Sequence, residues 1–278
     1  MNIKEILRKG NEILQKNNIE DSLLKSRMLL SNLLNKNKEF LIIHDNEIIP
    51  REFEIKYFEY IEKLVTGIPI QYITHNQEFM GLNFFVNENV LIPQPDTEIL
   101  VEEIISKINY NDEILDLCTG SGAIGISIAK LCKDKDLNIY LSDISKEALN
   151  VAKENSLKNE VNVNFVQSDL FENINQKFNL IVSNPPYIET DCIKELSLEV
   201  QNEPNIALDG GKDGLIFYRK IAKEAKNYLK EKGILGLEIG YNQNDIVIEI
   251  LQKEGYIDIY SKKDYGNNDR IIICKRGK

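Results

Sequence analysis

What this chain lacks narrows it first. Tryptophan is absent, histidine occurs twice, and the four cysteines (Cys118, Cys132, Cys192, Cys274) are scattered with no C-x-x-C pair. That spacing is neither a disulfide framework nor a zinc site, so no metal is expected, and the expected setting is a reducing cytoplasm. Met1-Asn2-Ile3-Lys4-Glu5 is no signal peptide, and no apolar run nears the length that spans a bilayer. No membrane attachment is expected. Positive charge is also scarce: 34 Lys and Arg face 44 Asp and Glu, a net charge of −10. Broad nucleic-acid binding rests on neutralising phosphates with Lys and Arg, so direct nucleic-acid binding is not expected. There is no internal repeat, low-complexity tract or long linker.

What is present is ample for a core. Hydrophobic residues make up 42% of 278 residues, enough for one large domain or a medium and a small one. Residues 1 to 70 carry helical periodicity. Ile3, Ile6, Leu7, Ile13 and Leu14 share one face. Leu23, Leu24, Leu29, Leu30, Leu33 and Leu34 mark a second helix, with Asp21 or Ser22 placed to cap it. Phe40-Leu41-Ile42-Ile43 fits a short third. Pro50 suits a first turn, and Phe53, Tyr57, Ile61, Leu64 and Val65 follow until Gly67 stops the helix. Nothing in this bundle looks chemical. Glu78 to Val86, aromatic-rich and broken by Gly81, reads as a short hairpin. A further helix starts near Pro95, where Asp96 and Glu98 suit the positive end of its dipole.

From Glu113 the pattern turns to strands alternating with helices, the signature of a doubly wound parallel α/β sheet. Seven strands are expected, at 113–117, 138–142, 161–167, 178–183, 233–239, 255–260 and 270–274. The last two leave no room for a helix between them and should pair antiparallel.

Four strand ends carry unusual residues. Asp116-Leu117-Cys118-Thr119-Gly120-Ser121-Gly122 is strand, glycine turn, helix, where a ligand can approach backbone without a Cβ in the way. Asp116 suits an ammonium group on that ligand. Asp143 ends the second strand, where nucleotide-binding sheets grip ribose hydroxyls. Asp169 and Leu170 follow the third, suited to an adenine edge and face. Asn184-Pro185-Pro186-Tyr187 follows the fourth. Two prolines cannot continue a central strand; they hold a rigid corner with free carbonyls beside an amide oxygen and an aromatic ring. Such a pocket suits a planar group bearing an NH2. Taken singly, the glycine turn could be an ordinary tight turn, each acid a helix cap and the diproline a plain loop. Their succession at four strand ends argues otherwise.

These motifs resemble those of the class I S-adenosylmethionine (SAM) methyltransferases, and among them the peptide-chain-release-factor glutamine methyltransferase family, PrmC/HemK. The resemblance covers the whole chain. It rests on Gly67 to Ile73, Glu78 to Leu82, Ile92-Pro93-Gln94-Pro95-Asp96-Thr97-Glu98, the glycine turn and Asn184 to Tyr187. It extends through Glu203-Pro204, Ala207 to Gly211, and Asp264-Tyr265-Gly266-Asn267-Asn268-Asp269-Arg270. Asn-Pro-Pro-Tyr alone is shared with DNA adenine methyltransferases; the Pro-Asp-Thr-Glu and Asn-Asn-Asp-Arg stretches are more specific.

The resemblance implies a Rossmann-like seven-stranded methyltransferase domain over 93–278, a hairpin linker over 75–92 and a helical substrate-docking domain over 1–74. It implies SAM as methyl donor. Cys118, Thr119, Gly120, Ser121 and Gly122 would line its methionine part, Asp143 its ribose, and Asp169 and Leu170 its adenine. Asn184 would border donor and substrate, and Asn184 to Tyr187 would hold the glutamine of a Gly-Gly-Gln loop in bacterial class I release factors. Asn184, Pro185 and Tyr187 are the expected catalytic residues. Three positions depart from the family pattern: Cys118 and His75 stand where glycine is common, and Gln94 where arginine is usual. Glutamine cannot make arginine's bidentate contact to a carboxylate, and His75 reads as a hinge or surface residue. Rival readings are a ribosomal-protein glutamine methyltransferase, a DNA adenine methyltransferase and a non-catalytic SAM-binding protein.

Overall fold

Amphipathic periodicity becomes helix through most of the first third of the chain. The computed structural model describes residues 1–277. They divide into two compact units: Met1–Asn76 together with Leu196–Asn202, and Gln77–Glu195 together with the chain from Glu203 onward.

The first unit holds α1 (Ile3–Lys16), α2 (Ser22–Leu34), α3 (Lys38–Ile43), α4 (Arg51–Val65) and α5 (Ile70–Thr74), with the short helix Leu198–Gln201, ninth in chain order. Its apolar stripes meet in one cluster that includes Ile6, Leu14, Leu30, Tyr57 and Ile61. Local chemistry sets the boundaries. Asn2 and Glu5 form a capping box on α1. Gly67, with φ +87°, ends α4, where Gly67 N–H bonds Leu64 O and Ile68 N–H bonds Lys63 O. Two expectations change. Asp21 holds the cap position of α2 without a side-chain bond, and Ser22 Oγ instead donates to Asn11 Oδ1 of α1 at 2.8 Å. Pro50 lies one residue before α4 rather than within its first turn. Residues 196–202 join this unit through Lys25, whose ammonium lies 2.6 Å from Glu199, and through Asn202 Nδ2, which donates to Gly67 O.

Gly10 is a close-approach site in α1. A Cβ there would fall 2.1 Å from Tyr57 Oη, and Tyr57 is fully buried with its hydroxyl 2.5 Å from Ser26 Oγ. Alanine gains about 1 kcal/mol of helix propensity over glycine. Overpacking against a fixed ring costs about 1–3 kcal/mol, and at this separation the clash wins. Gly10→Ala is therefore expected to lower the urea midpoint, despite being a helix-favouring change.

The second unit opens with a hairpin, β1 (Gln77–Phe79) and β2 (Leu82–Phe84), turned at Met80 and Gly81, both with positive φ. Then come α6 (Pro95–Ile105), β3 (Glu113–Leu117), α7 (Ala123–Leu131), β4 (Asn138–Asp143), α8 (Lys146–Lys158), β5 (Asn164–Gln167) and β6 (Phe178–Ser183). After α9 (the Leu198–Gln201 helix) follow α10 (Asn205–Leu208), α11 (Ile216–Tyr228), β7 (Leu229–Glu238), α12 (Asn244–Lys253), β8 (Ile257–Lys263) and β9 (Asp269–Lys275). The sheet order is β5-β4-β3-β6-β7-β9-β8. Its first five strands are parallel, and β9 runs antiparallel to both β7 and β8. This is the doubly wound sheet expected from the strand–helix alternation. Alternate strand residues face two cores. Ile114, Leu180, Val182, Ile271 and Ile273 pack with α6, α7 and α8; Leu115, Ile181, Ile272 and Cys274 pack with α11 and α12.

Three strands moved by two residues or more, among them β8, which runs Ile257–Lys263 where 255–260 was expected. β5 begins at Asn164, because α8 ends in a turn through Glu160, at φ +55°, that occupies the residues before it. β7 begins at Leu229, directly after α11, with a register irregularity opposite Phe178–Leu180. Among the described residues no helix is long and apolar enough to cross a membrane.

Candidate active site

β3 and β6 are neighbours in register, Leu117 opposite Ser183, and Ser183 Oγ donates to Leu117 O at 2.6 Å. The next residues, Cys118 and Asn184, therefore leave the sheet side by side. They do so at the switch point, where the order runs outward through β4 on one side and β7 on the other.

The turn after β3 is built on left-handed backbone: φ is +60° at Cys118, +54° at Gly120 and +82° at Gly122. The value at Cys118 explains why glycine suits that position. His75, at φ +52°, has the same explanation. A Cβ added at Gly120 would meet nothing within 4 Å, so backbone there faces open space. Asn155 of α8 braces the turn by donating to Ser121 O at 2.9 Å.

A cleft of about 280 Å³ opens over this turn. Cys118, Thr119, Gly120 and Ser121 line it, as do Asp143, Asp169 and Leu170, and Asn184 and Pro186 from the corner. Gly122 is absent from the wall; it is the residue preceding α7. Pro185 is buried, and Tyr187 is half-buried with its ring against the core beside β6. The Asp143 carboxylate accepts from Gly120 N–H and Ser145 N–H, both at 2.9 Å, and burial raises its pKa. Burial also pushes the Cys118 thiol far up, so it stays protonated.

Asp116 is a correction. Its side chain is fully buried beneath the turn, where Oδ2 accepts from Thr119 Oγ1 at 2.6 Å and Gly125 N–H at 2.9 Å. It fastens the turn to α7 and does not face the cleft. Burial pushes its carboxyl up to about 7, against those two bonds.

Behind the corner lies a polar network. Asn184 Nδ2 donates to Thr97 Oγ1 at 3.3 Å, and Thr97 Oγ1 donates to Glu238 Oε2 at 2.5 Å. Tyr187 Oη donates to Glu238 Oε1 at 3.3 Å, and Tyr218 Oη donates to the Glu238 carbonyl at 3.0 Å. Arg270 stands close by, 2.9 Å from Asp264 and 3.1 Å from Asp96. Burial pushes Glu238 up to about 7, opposed by the Thr97 bond and the Arg270 charge. The Pro-Asp-Thr-Glu and Asn-Asn-Asp-Arg stretches thus meet behind Asn184 and Tyr187. Glu238 gave one sequence signal, an acid set inside the apolar run Ile234-Leu235-Gly236-Leu237-Glu238-Ile239. Phe217 and Lys220 of α11 also line the cleft, and nothing local in the sequence marks them.

The family described as "Methyltransferase small domain" matches residues 93–203, and the "PrmC N-terminal domain" matches residues 5–74. Among solved structures, a methyltransferase from Pyrococcus furiosus aligns at TM-score 0.55 with 20% identity, covering 71% of this chain and 90% of that one. A 16S rRNA N2 G1207 methyltransferase from T. Thermophilus, in complex with AdoMet and guanosine, aligns at 0.53 with 14% identity over 72% and 49% of the two chains. These likenesses establish the fold. Sequence relatives are nearer. The release factor glutamine methyltransferase of Clostridium acetobutylicum is 43% identical over 100% of this chain and 99% of its own. Those of Clostridium botulinum (40%; 99% and 100%) and Fusobacterium nucleatum (42%; 98% and 78%) are similar. With the glycine turn and the Asn-Pro-Pro-Tyr corner at adjacent strand ends of this sheet, and with relatives matching end to end, the chain is a methyltransferase belonging to the release factor glutamine methyltransferase family.

Proposed function

We propose that this protein methylates the side-chain amide nitrogen of the glutamine in the Gly-Gly-Gln motif of bacterial class I release factors, in the cytoplasm, with S-adenosyl-L-methionine as donor. The observation that carries the reading is the adjacency of Cys118 and Asn184 at the ends of paired parallel strands. It brings the glycine turn together with Asn184 and Pro186 of the corner into the wall of one cleft.

The residues present fit the donor. The turn offers backbone open to a ligand at Gly120, and the wall carries the carboxylates of Asp143 and Asp169 beside apolar Leu170, suited to a cation with a ribose and a flat base. Cys118 to Gly122 would hold its methionine part, Asp143 its ribose hydroxyls, and Asp169 and Leu170 its adenine. Once bound, it supplies a methyl group made strongly electrophilic by a sulfonium.

The chain's own task is then positioning. An amide nitrogen is a poor nucleophile because its lone pair is delocalised into the carbonyl. Asn184 Oδ1 and the Pro185 carbonyl accept the two amide N–H bonds and aim that nitrogen into the cleft. Pro185 and Pro186 fix the corner, so little reorganisation is needed. Tyr187 is outside the cleft wall; its ring packs on the core and its hydroxyl on Glu238, so its part is to hold the corner in place. No thiolate or imidazole base is called for, since the nitrogen becomes acidic once alkylated. The helical unit is assigned the docking of the release factor.

The test is mass spectrometry of a purified release factor after incubation with this protein and SAM, with a ribosomal protein in parallel. A gain of one methyl on the Gly-Gly-Gln glutamine is expected. Methylation of the ribosomal protein instead, or of neither, overturns the assignment.

A further inference from the structure

We propose that Thr97 and Glu238 are positioning residues that set which way round the Asn184 carboxamide is held. The inference rests on the amide-methylation reading above. It deepens that reading by asking what keeps Asn184 Oδ1, rather than its NH2, available to a substrate amide.

The argument follows hydrogens along the network. An ionised carboxylate can only accept, and a threonine hydroxyl has one hydrogen to give. Glu238 accepts from Thr97 Oγ1 at 2.5 Å and from Tyr187 Oη at 3.3 Å, one to each oxygen. With its hydrogen committed to Glu238, the Thr97 oxygen has lone pairs alone to offer Asn184. Asn184 meets it with Nδ2–H at 3.3 Å, which leaves Oδ1 on the other edge of the carboxamide. The reverse orientation would set two acceptors face to face. Glu238 is buried, and Thr97, though part of the cleft wall, is only 4% exposed, so the Thr97–Glu238 bond is largely shielded from water.

Protonation of Glu238 reverses the logic. The carboxyl then donates to Thr97, whose hydroxyl is released to donate to Asn184 Oδ1. The carboxamide turns, and its NH2 would confront the NH2 of the substrate. The groups facing Glu238 are Thr97 and Asp96 from α6, Tyr187 from the corner, Tyr218 from α11, and Arg270 from β9 paired with Asp264. Arg270 stays cationic, and burial holds both tyrosines well above neutral pH. Within this network Glu238 is the group that burial brings to about 7.

Three variants and two readouts test this. Methyl transfer to release-factor glutamine is followed across neutrality in the wild type, Glu238→Gln, Thr97→Val and Thr97→Ser. In parallel, asparagine labelled with nitrogen-15 reports the Asn184 side-chain NH2 signal, identified by its loss in Asn184→Ala. The wild type is expected to lose kcat on the acid side of neutrality, with the Asn184 signal moving over the same range. Glu238→Gln and Thr97→Val should each lower kcat by about 10- to 100-fold, by analogy with loss of the outer partner that orients a metal ligand, with KM little changed. Both should also abolish the shift of the Asn184 signal. Thr97→Ser keeps the hydroxyl and should retain both properties. Asp116 also rises to about 7, so the assignment rests on the difference between wild type and Glu238→Gln. An acid limb that persists in Glu238→Gln, or an Asn184 signal in the wild type that does not move across neutrality, overturns the proposal. If the wild type transfers no methyl to glutamine, the functional reading fails, and the nuclear signal still decides the orientation question.

Discussion

Asn184→Ala is expected to lower kcat for amide methylation by about 100- to 1,000-fold, about 3–4 kcal/mol, the loss seen when one preorganised polar group at a reacting centre is removed. The residue stands at the end of β6, beside the turn after β3, and its Nδ2 is engaged by Thr97. Its remaining oxygen is the group assigned to orient the substrate nitrogen. Truncation leaves the fold of the sheet untouched, because Asn184 lies beyond the strand and is part-exposed. Binding of SAM, followed by calorimetry, should be retained, since Gly120, Asp143 and Asp169 remain in place. Turnover close to wild type would remove Asn184 from its assigned role.

Gly210→Ala should damage the same corner from behind, without touching it chemically. Tyr187 and Ile188 run alongside residues 208–210: Ile188 N–H bonds Leu208 O at 3.0 Å, and Gly210 N–H bonds Ile188 O at 2.8 Å. A Cβ at Gly210 would lie 2.7 Å from Tyr187 Cα and 2.9 Å from Gly214 Cα, backbone atoms that cannot swing aside. From the other side Gln243 Nε2 donates to Tyr187 O at 3.0 Å. The corner is thus wedged, and a methyl group must displace it. A shift of about 1 Å at a reacting geometry costs on the order of 100-fold in rate, and the overpacking itself costs about 1–3 kcal/mol. Steady-state kinetics with a denaturation curve on the same sample checks both. Unchanged kcat would show that the corner tolerates movement, against the idea that rigidity matters there.

The parts of the molecule legible in the sequence are those fixed by local pattern. Strand ends at Leu117, Asp143, Gln167 and Ser183 follow from apolar runs closed by turn residues, and the antiparallel final pair followed from the absence of room for a helix. The cleft wall was legible at Cys118 to Ser121, Asp143, Asp169, Leu170 and Asn184, but not at Ile144 and Ser145, which follow β4 just as directly. What was hidden depends on which neighbour a side chain meets. Asp116 stood in the right sequence place to face a ligand, but period-2 alternation turned it under the turn, onto Gly125. Glu238 sits among apolar residues and gains meaning only because α6 brings Thr97 to it. Phe217 and Lys220 reach the cleft from a helix some thirty residues beyond the corner, and no short motif records such a distance.

Residues 196–202 give the helical unit a discontinuous makeup, with Lys25 bound to Glu199 and Asn202 bound to Gly67. On a translating ribosome its last piece emerges long after its first. At about 5–20 residues per second, the stretch between them takes on the order of ten seconds to synthesise. Through that interval Gly67 O lacks the Asn202 donor. The nascent bundle must wait for its closing segment, and a fragment ending at residue 76 never receives it.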